Sequence, residues 1–453
     1  MECRTAKTSN SKTSCASPGN STDVLVNIGR MGAIDADVNS CKDSRETADG
    51  VSADTPSTRA PRRRVHLDLG PDHPSQAGLV TISCRTCQDS GNQHDDRIVA
   101  GRMHIGHLHR GVEKLFEVRD YRQIPMLASR HDWQAPFVGE AGAAMAVEKA
   151  LGIDAPPRAM HVRTILIEFS RMTSHLAFLS WLPWYATDFS CRGRVHHLLD
   201  TAHDLWEGFC GNRIHPMTCR IGGTVHDVTP VFAASLNTWC MHAAALSDEL
   251  RSLLDGPAGA CTRGVAVIPA DAVAPFGLSG PVARASGVPM DLRCPNAARR
   301  RTSRSETTTS WRAEDSRDAP RHLAYDQVNF PVVDAPTEGD AHSRLSWLCA
   351  EVRQSADLVT TLLQSLPDGE LATRLPTTLK VPAGRVWSQL EAPWGRAGYL
   401  LDSRGTTSPW RLALRTPTFA NVQVLEHLLS TLSVEQLEPA VASLGWTLGD
   451  LDK

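Results

Sequence analysis

One segment constrains the fold more than any other: PRAMHVRTILIEFSRMTSHLAFLSWL, which runs from Pro157 to Leu182. Its apolar residues recur every three or four positions, and this spacing predicts a helix. Additional apolar residues widen the stripe until it covers most of the circumference: Val162, Ile165, Leu166, Ile167, Phe169, Met172, Leu176, Phe178, Leu179 and Trp181. Because such a helix is stable only when protein surrounds it, the chain must form a helical bundle with a buried centre.

Three more segments predict helices of that bundle. Pro136–Leu151 is dense in alanine and glycine, and it ends before Gly152, so we expect a closely packed helix with a clear stop. Val231–Leu254 and Ala341–Leu366 have the spacing of amphipathic helices.

Strand-like runs precede and follow the helices. Val65–Leu69 and Leu79–Cys84 are predicted strands on either side of a proline turn, and three β-type runs occur near the end of the chain: LKVPAGRVWSQLEA, GYLLDS and WRLALRT. The order predicts an α+β fold, mainly α, with a small antiparallel β portion before the helical bundle core.

We divide the chain into a disordered extension (1–60), a β/α portion (65–130) and a helical bundle domain (131–453). The extension contains no aromatic residue, so it lacks the apolar area to offset the entropy of ordering. The bundle domain includes a polar insertion, 298–321, and a final strand and tail segment. Arginines alternate with acids in the insertion, which is typical of a solvated loop, with an anion-binding patch as the alternative.

Composition excludes several classes of function. A formal net charge of -3 gives no footprint for nucleic acid. The 12 cysteines contain one close pair, CRTC, which favours a reducing compartment without a disulfide framework. The most apolar stretch, 176–186, is shorter than the ~20 residues that span a bilayer, so membrane association is expected to go through partner proteins.

The best candidate site lies in HIGHLHRGVEKLFEVRDYRQIPMLASRHDW, residues 104–133. Arg110 adjoins a glycine where a helix is predicted to start, and Arg130, His131, Asp132 and Trp133 close the segment. A helix start with nearby arginines would form an anion-favouring or electron-accepting pocket. Ordinary surface ion pairing is the alternative. The three histidines lack a conventional set of metal-ligand neighbours, and no glycine-rich nucleotide loop or GxSxG motif is present, so no metal is expected.

Twelve blocks, in this order, resemble the D subunit family of NADH-quinone oxidoreductase, respiratory complex I: LGPDHPS, HLHRGVEKLFEVRDYRQ, AVEKALGI, SHLAFL, RIHPMTCRIGG, TRGVAVI, SGPVARASGV, DLR, EGD, EAPWGRAGYLL, PWRLALRTPTFANVQ and GDLDK. The resemblance covers about Val65 to Lys453 without the arginine-rich tract. It implies a fold related to the large subunit of nickel-iron hydrogenases. Hydrogenase activity is excluded because the two CxxC pairs that would hold the metals are missing.

The resemblance also implies a role. A family member binds no cofactor itself and, with the B subunit, forms the chamber where an iron-sulfur cluster of the B subunit passes electrons to quinone, within an enzyme complex that translocates protons. The B and C subunits and neighbouring membrane-arm subunits are the implied partners, and the implied location is the cytoplasmic face of the bacterial inner membrane. Arg110, Arg130 and His215 match the positions near that cluster, where a cationic shell would raise its reduction potential.

The quinone chamber departs from the family pattern. His73 matches the first histidine of the turn, but Ala77 stands in place of the second, Trp133 in place of a tyrosine, and Tyr185, by an ungapped count, in place of an aspartate. Quinone reduction requires two protons, and neither alanine nor an indole can titrate. His131 and His73 are candidate relocated donors, and no catalytic residue is assigned. The alternative function is a structural or regulatory paralogue that keeps the subunit interface and has lost quinone chemistry.

Overall fold

The computed structural model describes residues 23–27, 62–68, 81–88, 96–186, 188–256, 258–294, 322–329, 333 and 335–453. Within these ranges, side chains are not described at residues 23–27, 62–68, 81, 87, 88, 96, 184 and 185. The sites predicted at His73 and Ala77, and the polar insertion 298–321, lie outside the described residues.

The chain begins with a four-stranded sheet. Its strands are β1 Asp23–Asn27, β2 Arg62–Asp68, β3 Thr81–Gln88 and β4 Asp96–His104, in the order β1-β2-β3-β4. β3 is antiparallel to both of its neighbours, as the sequence predicts, whereas β1 runs parallel to β2. β1 falls within the extension 1–60. These five residues, DVLVN, form a strand within a segment that the sequence predicts to be disordered, and their three consecutive branched apolar residues favour a strand.

Helices dominate the middle of the chain, interrupted by a short hairpin of β5 Cys219–Arg220 and β6 Gly223–Thr224. The helices are α1 Val112–Phe116, α2 Ile124–Ala128, α3 Pro136–Leu151, α4 Pro157–Leu179, α5 Trp181–Tyr185, α6 Phe189–Cys210, α7 Pro230–Asp255, α8 Gly259–Thr262, α9 Ala270–Val273, α10 Gly280–Ala285 and α11 Ala341–Gln364. Single 3-10 turns occur at Tyr121–Gln123 and Tyr325–Gln327.

A second sheet and three helices complete the fold. β7 Gly384–Ala392, β8 Gly395–Ser403 and β9 Arg411–Arg415 form an antiparallel sheet in sequence order. The tail then forms α12 Pro417–Leu429, α13 Leu437–Leu444 and α14 Leu448–Leu451, which the sequence analysis leaves without assigned elements. The fold is α+β and mainly α, as predicted.

Helix α4 lies at the centre of the bundle, packed against α3, α6, α7 and α11. Its apolar residues are buried around the whole circumference, which confirms the prediction from their spacing. The helix ends at Leu179, three residues earlier than predicted, and α5 follows after Ser180. Pro183 accounts for the break, because its ring has no N–H and clashes with the carbonyl four residues before it.

The small residues of α3 allow that helix to lie directly on the second sheet. A Cβ at Gly142 would lie 2.2 Å from Cε2 of Tyr399 on β8, so no larger residue fits at this contact. The bounds of α3 and the left-handed Gly152 that ends it agree with the prediction. This packing brings the segment before α3 next to the tail of the chain.

Buried charges connect the elements of the bundle. Arg284 on α10 donates from Nε to Glu351 Oε1 of α11 at 2.9 Å and from Nη1 to Glu391 Oε1 of β7 at 2.8 Å. Arg293 donates to Glu168 of α4 at 3.1 Å. All five side chains are buried, so each charge depends on its partners rather than on water. Among the described residues, no helix combines the length and the apolar composition needed to cross a membrane.

Candidate functional site

The site begins where the first sheet meets the helices. β4 ends at His104, and the chain reaches α1 with Gly111 as its N-cap, so the helix starts where the sequence predicts. Arg110, just before this cap, is exposed and donates from Nη2 to the backbone oxygen of Arg130 at 3.0 Å. The contact joins the HLHRG segment to the SRHDW segment, 20 residues later in the chain.

Arg130 is half-buried at this junction. Its guanidinium donates to Ser129 Oγ, to the Met126 carbonyl at 3.4 Å and to Met217 Sδ at 3.6 Å. Burial lowers the pKa of Arg130, and the charge of nearby Glu140 opposes that change. A guanidinium stays charged under these conditions. The site therefore holds two arginine charges, one exposed and one half-buried, close to the same backbone.

His215 belongs to the same group. Desolvation, together with the charges of Arg130 and Arg110, lowers its pKa to about 4, so the imidazole is neutral at physiological pH. Its Nδ1 is buried without a hydrogen-bond partner in the described part of the chain. Thus Arg110, Arg130 and His215, which the sequence analysis groups together, also lie together in the structure.

Glu140 of α3 holds the loop that carries His215. Its carboxylate accepts backbone N–H bonds from Met217 at 2.6 Å and from Thr218 and Cys219 at 3.0 Å. Burial raises the pKa of Glu140 to about 7, although these three bonds oppose the rise. The loop needs this support because Met217 has a φ of 48°, in the left-handed region that a side chain disfavours.

His131 and Asp132 point into the protein, away from the exposed arginine. His131 is 5% exposed, and its Nδ1–H donates to Asp450 Oδ1 in the tail. Asp132 accepts from Thr447 Oγ1 at 3.0 Å and from the Gln134 N–H at 3.1 Å. Burial and the neighbouring charge of Asp450 raise the pKa of Asp132. For His131, the interpretation as a surface ion pair is wrong, because its partner is buried.

Trp133 packs against the tail as well. A Cβ at Gly449 would lie 2.6 Å from Cζ3 of Trp133 and 2.1 Å from the carbonyl oxygen of His131, so the tail touches both residues. The indole Nε1 is buried and has no hydrogen-bond partner among the described residues, and the same is true of His131 Nε2. Two buried nitrogens with unused hydrogen-bonding capacity are costly unless something else binds them.

The remaining predicted chamber residue is Tyr185, the last residue of α5, whose side chain is not described. The neighbouring Trp181 donates from Nε1 to Glu438 of α13 at 2.9 Å. The structure therefore brings five of the eight predicted site residues into two adjoining groups. Arg110, Arg130 and His215 form one group, and His131 and Trp133 form the other.

Sequence reasoning assigned no role to Glu140 or Asp450. Glu140 binds backbone groups, which leave no trace in residue types, and Asp450 is 319 residues from its partner His131. The available signal is GDLDK itself, in which two acids stand within a largely buried tail.

Three possible metal ligands occur together elsewhere, at the start of α6. Ligand atoms of Asp188, Cys191 and Glu249 lie within 4.8 Å of one another. However, Asp188 caps α6 by accepting the Cys191 N–H at 2.9 Å, and Glu249 is paired with Arg194. Both carboxylates therefore already have protein partners.

Comparison with known proteins identifies the relatives of this chain. Residues 196–297 and 372–453 match the family described as the respiratory-chain NADH dehydrogenase, 49 Kd subunit. The D 2 subunit of NADH-quinone oxidoreductase from Salinispora tropica is 38% identical over 398 residues, covering 85% of this chain and 92% of that protein. The D 2 subunit from Streptomyces griseus is 35% identical over 414 residues, covering 90% and 96%.

The fold and these matches define the class of the protein as a subunit of a respiratory-chain NADH dehydrogenase. More particularly, the chain belongs to the D subunit family of NADH-quinone oxidoreductase, the family that its sequence motifs resemble. The relatives are subunits of an oxidoreductase complex, so assembly with other subunits of that complex follows.

Proposed function

We propose that this chain forms one wall of a quinone-reducing chamber in a proton-translocating NADH-quinone oxidoreductase. The B subunit would hold the adjoining iron-sulfur cluster, and the B and C subunits and the membrane arm would be the neighbours. The complex would place the chain peripherally on the cytoplasmic face of the inner membrane. The observation that carries the proposal is the buried Trp133 Nε1–H, which lacks a partner among the described residues and would donate to a quinone carbonyl oxygen.

The charges around Arg110 fit the proposed cluster position. An iron-sulfur cluster gains negative charge on reduction, so nearby cations favour its reduced form and raise its potential. Arg110 and Arg130 supply two such cations, while neutral His215 can hydrogen-bond. These side chains are donors, not thiolates, and they suit the surroundings of a cluster whose ligands come from another subunit.

Trp133 would bind the quinone without protonating it. The indole N–H donates a hydrogen bond and does not titrate near neutral pH. Its position is fixed because the ring is in contact with Gly449. A Trp133→Phe variant keeps most of the ring but removes the donor, and loss of one such hydrogen bond, about 0.5–1.5 kcal/mol, should raise the KM for quinone roughly two- to tenfold.

The test uses the oxidoreductase assembled with this chain, in membranes, with NADH and a short-chain quinone. Reduction of ferricyanide by NADH, which bypasses the quinone, controls for assembly. Trp410→Phe is the matched control, because Trp410 is 53% exposed before β9. If the wild-type complex reduces ferricyanide but not quinone, the chain is instead the structural or regulatory paralogue.

A second variant restores the family pattern. Ala77→His together with Trp133→Tyr supplies two titratable groups at the positions that lack them, and turnover of quinone should rise. A complex that binds quinone but turns over no faster with both changes would contradict the assignment of these positions to the chamber.

A further inference from the structure

A small cavity lies between the SRHDW segment, α3, the second sheet and the tail. Its lining includes His131, Asp132, Gly139, Tyr399 and Asp450. His131 and Asp132 come from the segment before α3, Tyr399 comes from β8, and Asp450 comes from α14. The cavity thus gathers an imidazole, two carboxyl groups and a phenol from three distant parts of the sequence.

Hydrogen bonds hold the two carboxyl groups of this cavity in place. Asp450 accepts from His131 through Oδ1 and from Thr418 Oγ1 through Oδ2 at 3.0 Å. Asp132 accepts from Thr447 Oγ1 at 3.0 Å. Thr418 lies in α12, and Thr447 directly precedes α14. Both donors are uncharged hydroxyl groups, so neither neutralises a carboxylate.

Two carboxyl groups share this cavity, and their burial side by side favours a proton on one of them. One imidazolium can neutralise one of the two buried carboxylates, and the second carboxylate is destabilised by the first in a site of low polarity. Consistent with this count, burial and the Asp450 charge raise the pKa of Asp132, and burial and the two carboxylates raise the pKa of Tyr399.

Other ionisable groups around the cavity hydrogen-bond to other partners, although the cation of Arg415 lies in its lining. Arg415 at the end of β9 lines it, but donates to the carbonyl oxygens of Arg396 and of Gly277, the latter at 2.6 Å, and burial lowers its pKa to about 10. On α3 the lining residues are Val138 and Gly139, and Glu140 binds the 217–219 backbone instead. On the tail, Asp452 binds Leu108 N–H and His109.

We propose that His131, Asp132 and Asp450 form a buried proton-holding cluster that supplies one proton to the reduced quinone. The proposal rests on the proposed function and assigns to these residues the task that Ala77 and Trp133 cannot perform. His131 Nε2, buried and without a partner among the described residues, is the group of the cluster free to pass a proton onward.

The proton balance of the step is complete. In the proposed complex the quinone would receive two electrons, one at a time, by way of the partner subunit's iron-sulfur cluster, and its two carbonyl oxygens would each form an O–H bond. One proton leaves the His131, Asp132 and Asp450 cluster, where an O–H or N–H bond breaks, and the second comes from water. The cluster, one unit more negative afterwards, regains its proton from solvent before the next turnover.

The test compares complexes that carry the wild-type chain, Asp132→Asn, Asp132→Glu or His131→Gln. Turnover at saturating quinone is measured from about pH 5.5 to 9, a range that brackets the reference pKa of histidine. His161→Gln is the matched control, because His161 is also buried, at 3% exposed, but its Nδ1 bonds the Pro157 carbonyl at the start of α4. Turnover of the wild-type complex should fall as the pH rises and the cluster loses its proton. Asp132→Asn should lower kcat about 100-fold, the range of a lost acid catalyst, with little change in KM and no decline with pH.

Two further readouts separate a proton donor from a structural contact. Asp132→Glu, which keeps an acid, should recover part of the turnover and its pH dependence. NADH-to-ferricyanide activity should be equal in all complexes. The inference is overturned if Asp132→Asn behaves like His161→Gln, or if quinone and ferricyanide activities fall together while the pH profile is unchanged. If the wild-type complex reduces no quinone at all, the proposed function fails first.

Discussion

Gly449 of α14 contacts two residues of the candidate site. Any side chain at this position would overlap the carbonyl oxygen of His131, at 2.1 Å, and the Trp133 ring. The Cβ position is fixed by the backbone of residue 449, and the oxygen belongs to the backbone of His131. Rotation of a side chain therefore cannot relieve this overlap. The absence of a side chain therefore sets the distance between the tail and the SRHDW segment.

Gly449→Ala should lower the free energy of unfolding by about 1–3 kcal/mol, the usual cost of overpacking a close contact. Urea denaturation of the purified chain measures it. Gly193→Ala is the matched control: Gly193 lies in α6, where a Cβ would have nothing within 4 Å, and alanine there should stabilise the chain by about 0.5–1 kcal/mol. Equal effects of the two changes would show that the tail does not pack here.

The sequence predicts single residues well only where their partners are near in the chain or implied by the family. Arg110 and Arg130 stand 20 residues apart. Arg110 is identified from its position beside a predicted helix start, and Arg130 from the group of polar residues that closes the same segment. His131 is identified as well, but its partner Asp450 is not. Since any of the chain's 50 acidic residues could in principle pair with it, residue types alone do not select one.

Among the helices and strands, Arg284 of α10 joins three elements through buried partners. It binds Glu351 of α11 and Glu391 of β7, and all three side chains are buried. The Glu351 carboxyl has a lowered pKa in spite of its burial, because Arg284, His175 and Arg293 surround it. The ion pairs thus connect the bundle to the second sheet at one arginine.

Arg284→Met should destabilise the chain by about 3–5 kcal/mol, because it leaves buried carboxylates without their partner. Arg353→Met provides the comparison. Arg353 also lies in the bundle, on α11, but its pair with Asp248 is more than half exposed, and such pairs contribute about 0–1 kcal/mol. Chemical denaturation of both variants measures the difference. If Arg284→Met costs no more than Arg353→Met, the buried network does not hold the elements together.

The elements follow from the sequence where local rules decide them. Pro136 and Gly152 bracket α3, and the apolar period of α4 identifies the bundle centre. The helices of the tail are not predicted. Their segments are short and largely apolar, and α14 has only 4 residues, so its helical form depends on the neighbours that it packs against.

At the scale of the whole molecule, the last residues connect parts of the chain that are far apart in sequence. Asp452 accepts the Leu108 N–H at 2.7 Å, Asp450 pairs with His131, and Lys453 lies 3.3 Å from Glu113 of α1. Each contact spans more than 300 residues, and together they fix the β4 to α1 segment that carries Arg110.

A variant lacking residues 450–453 should expose this segment to trypsin. Loss of one hydrogen bond to a charged group, about 1.5–3 kcal/mol, would raise the population of locally open chain at least tenfold. The rate of cleavage after Arg110, followed by mass spectrometry, should rise by that factor. Cleavage after Arg385, which is paired with Asp402 on the second sheet, serves as the internal reference. A parallel increase at both positions would indicate general unfolding instead.

The separation between His131 and Asp450 also has a consequence for how the protein is made. A ribosome that has completed α3 and α4 has produced the segment around His131, but the acid that neutralises it is still hundreds of codons away. Closing so large a loop is slow compared with forming the local helices. Until it closes, the nascent chain has an unpaired imidazole and an open cavity, so the pocket reaches its final form as one of the last events of biosynthesis.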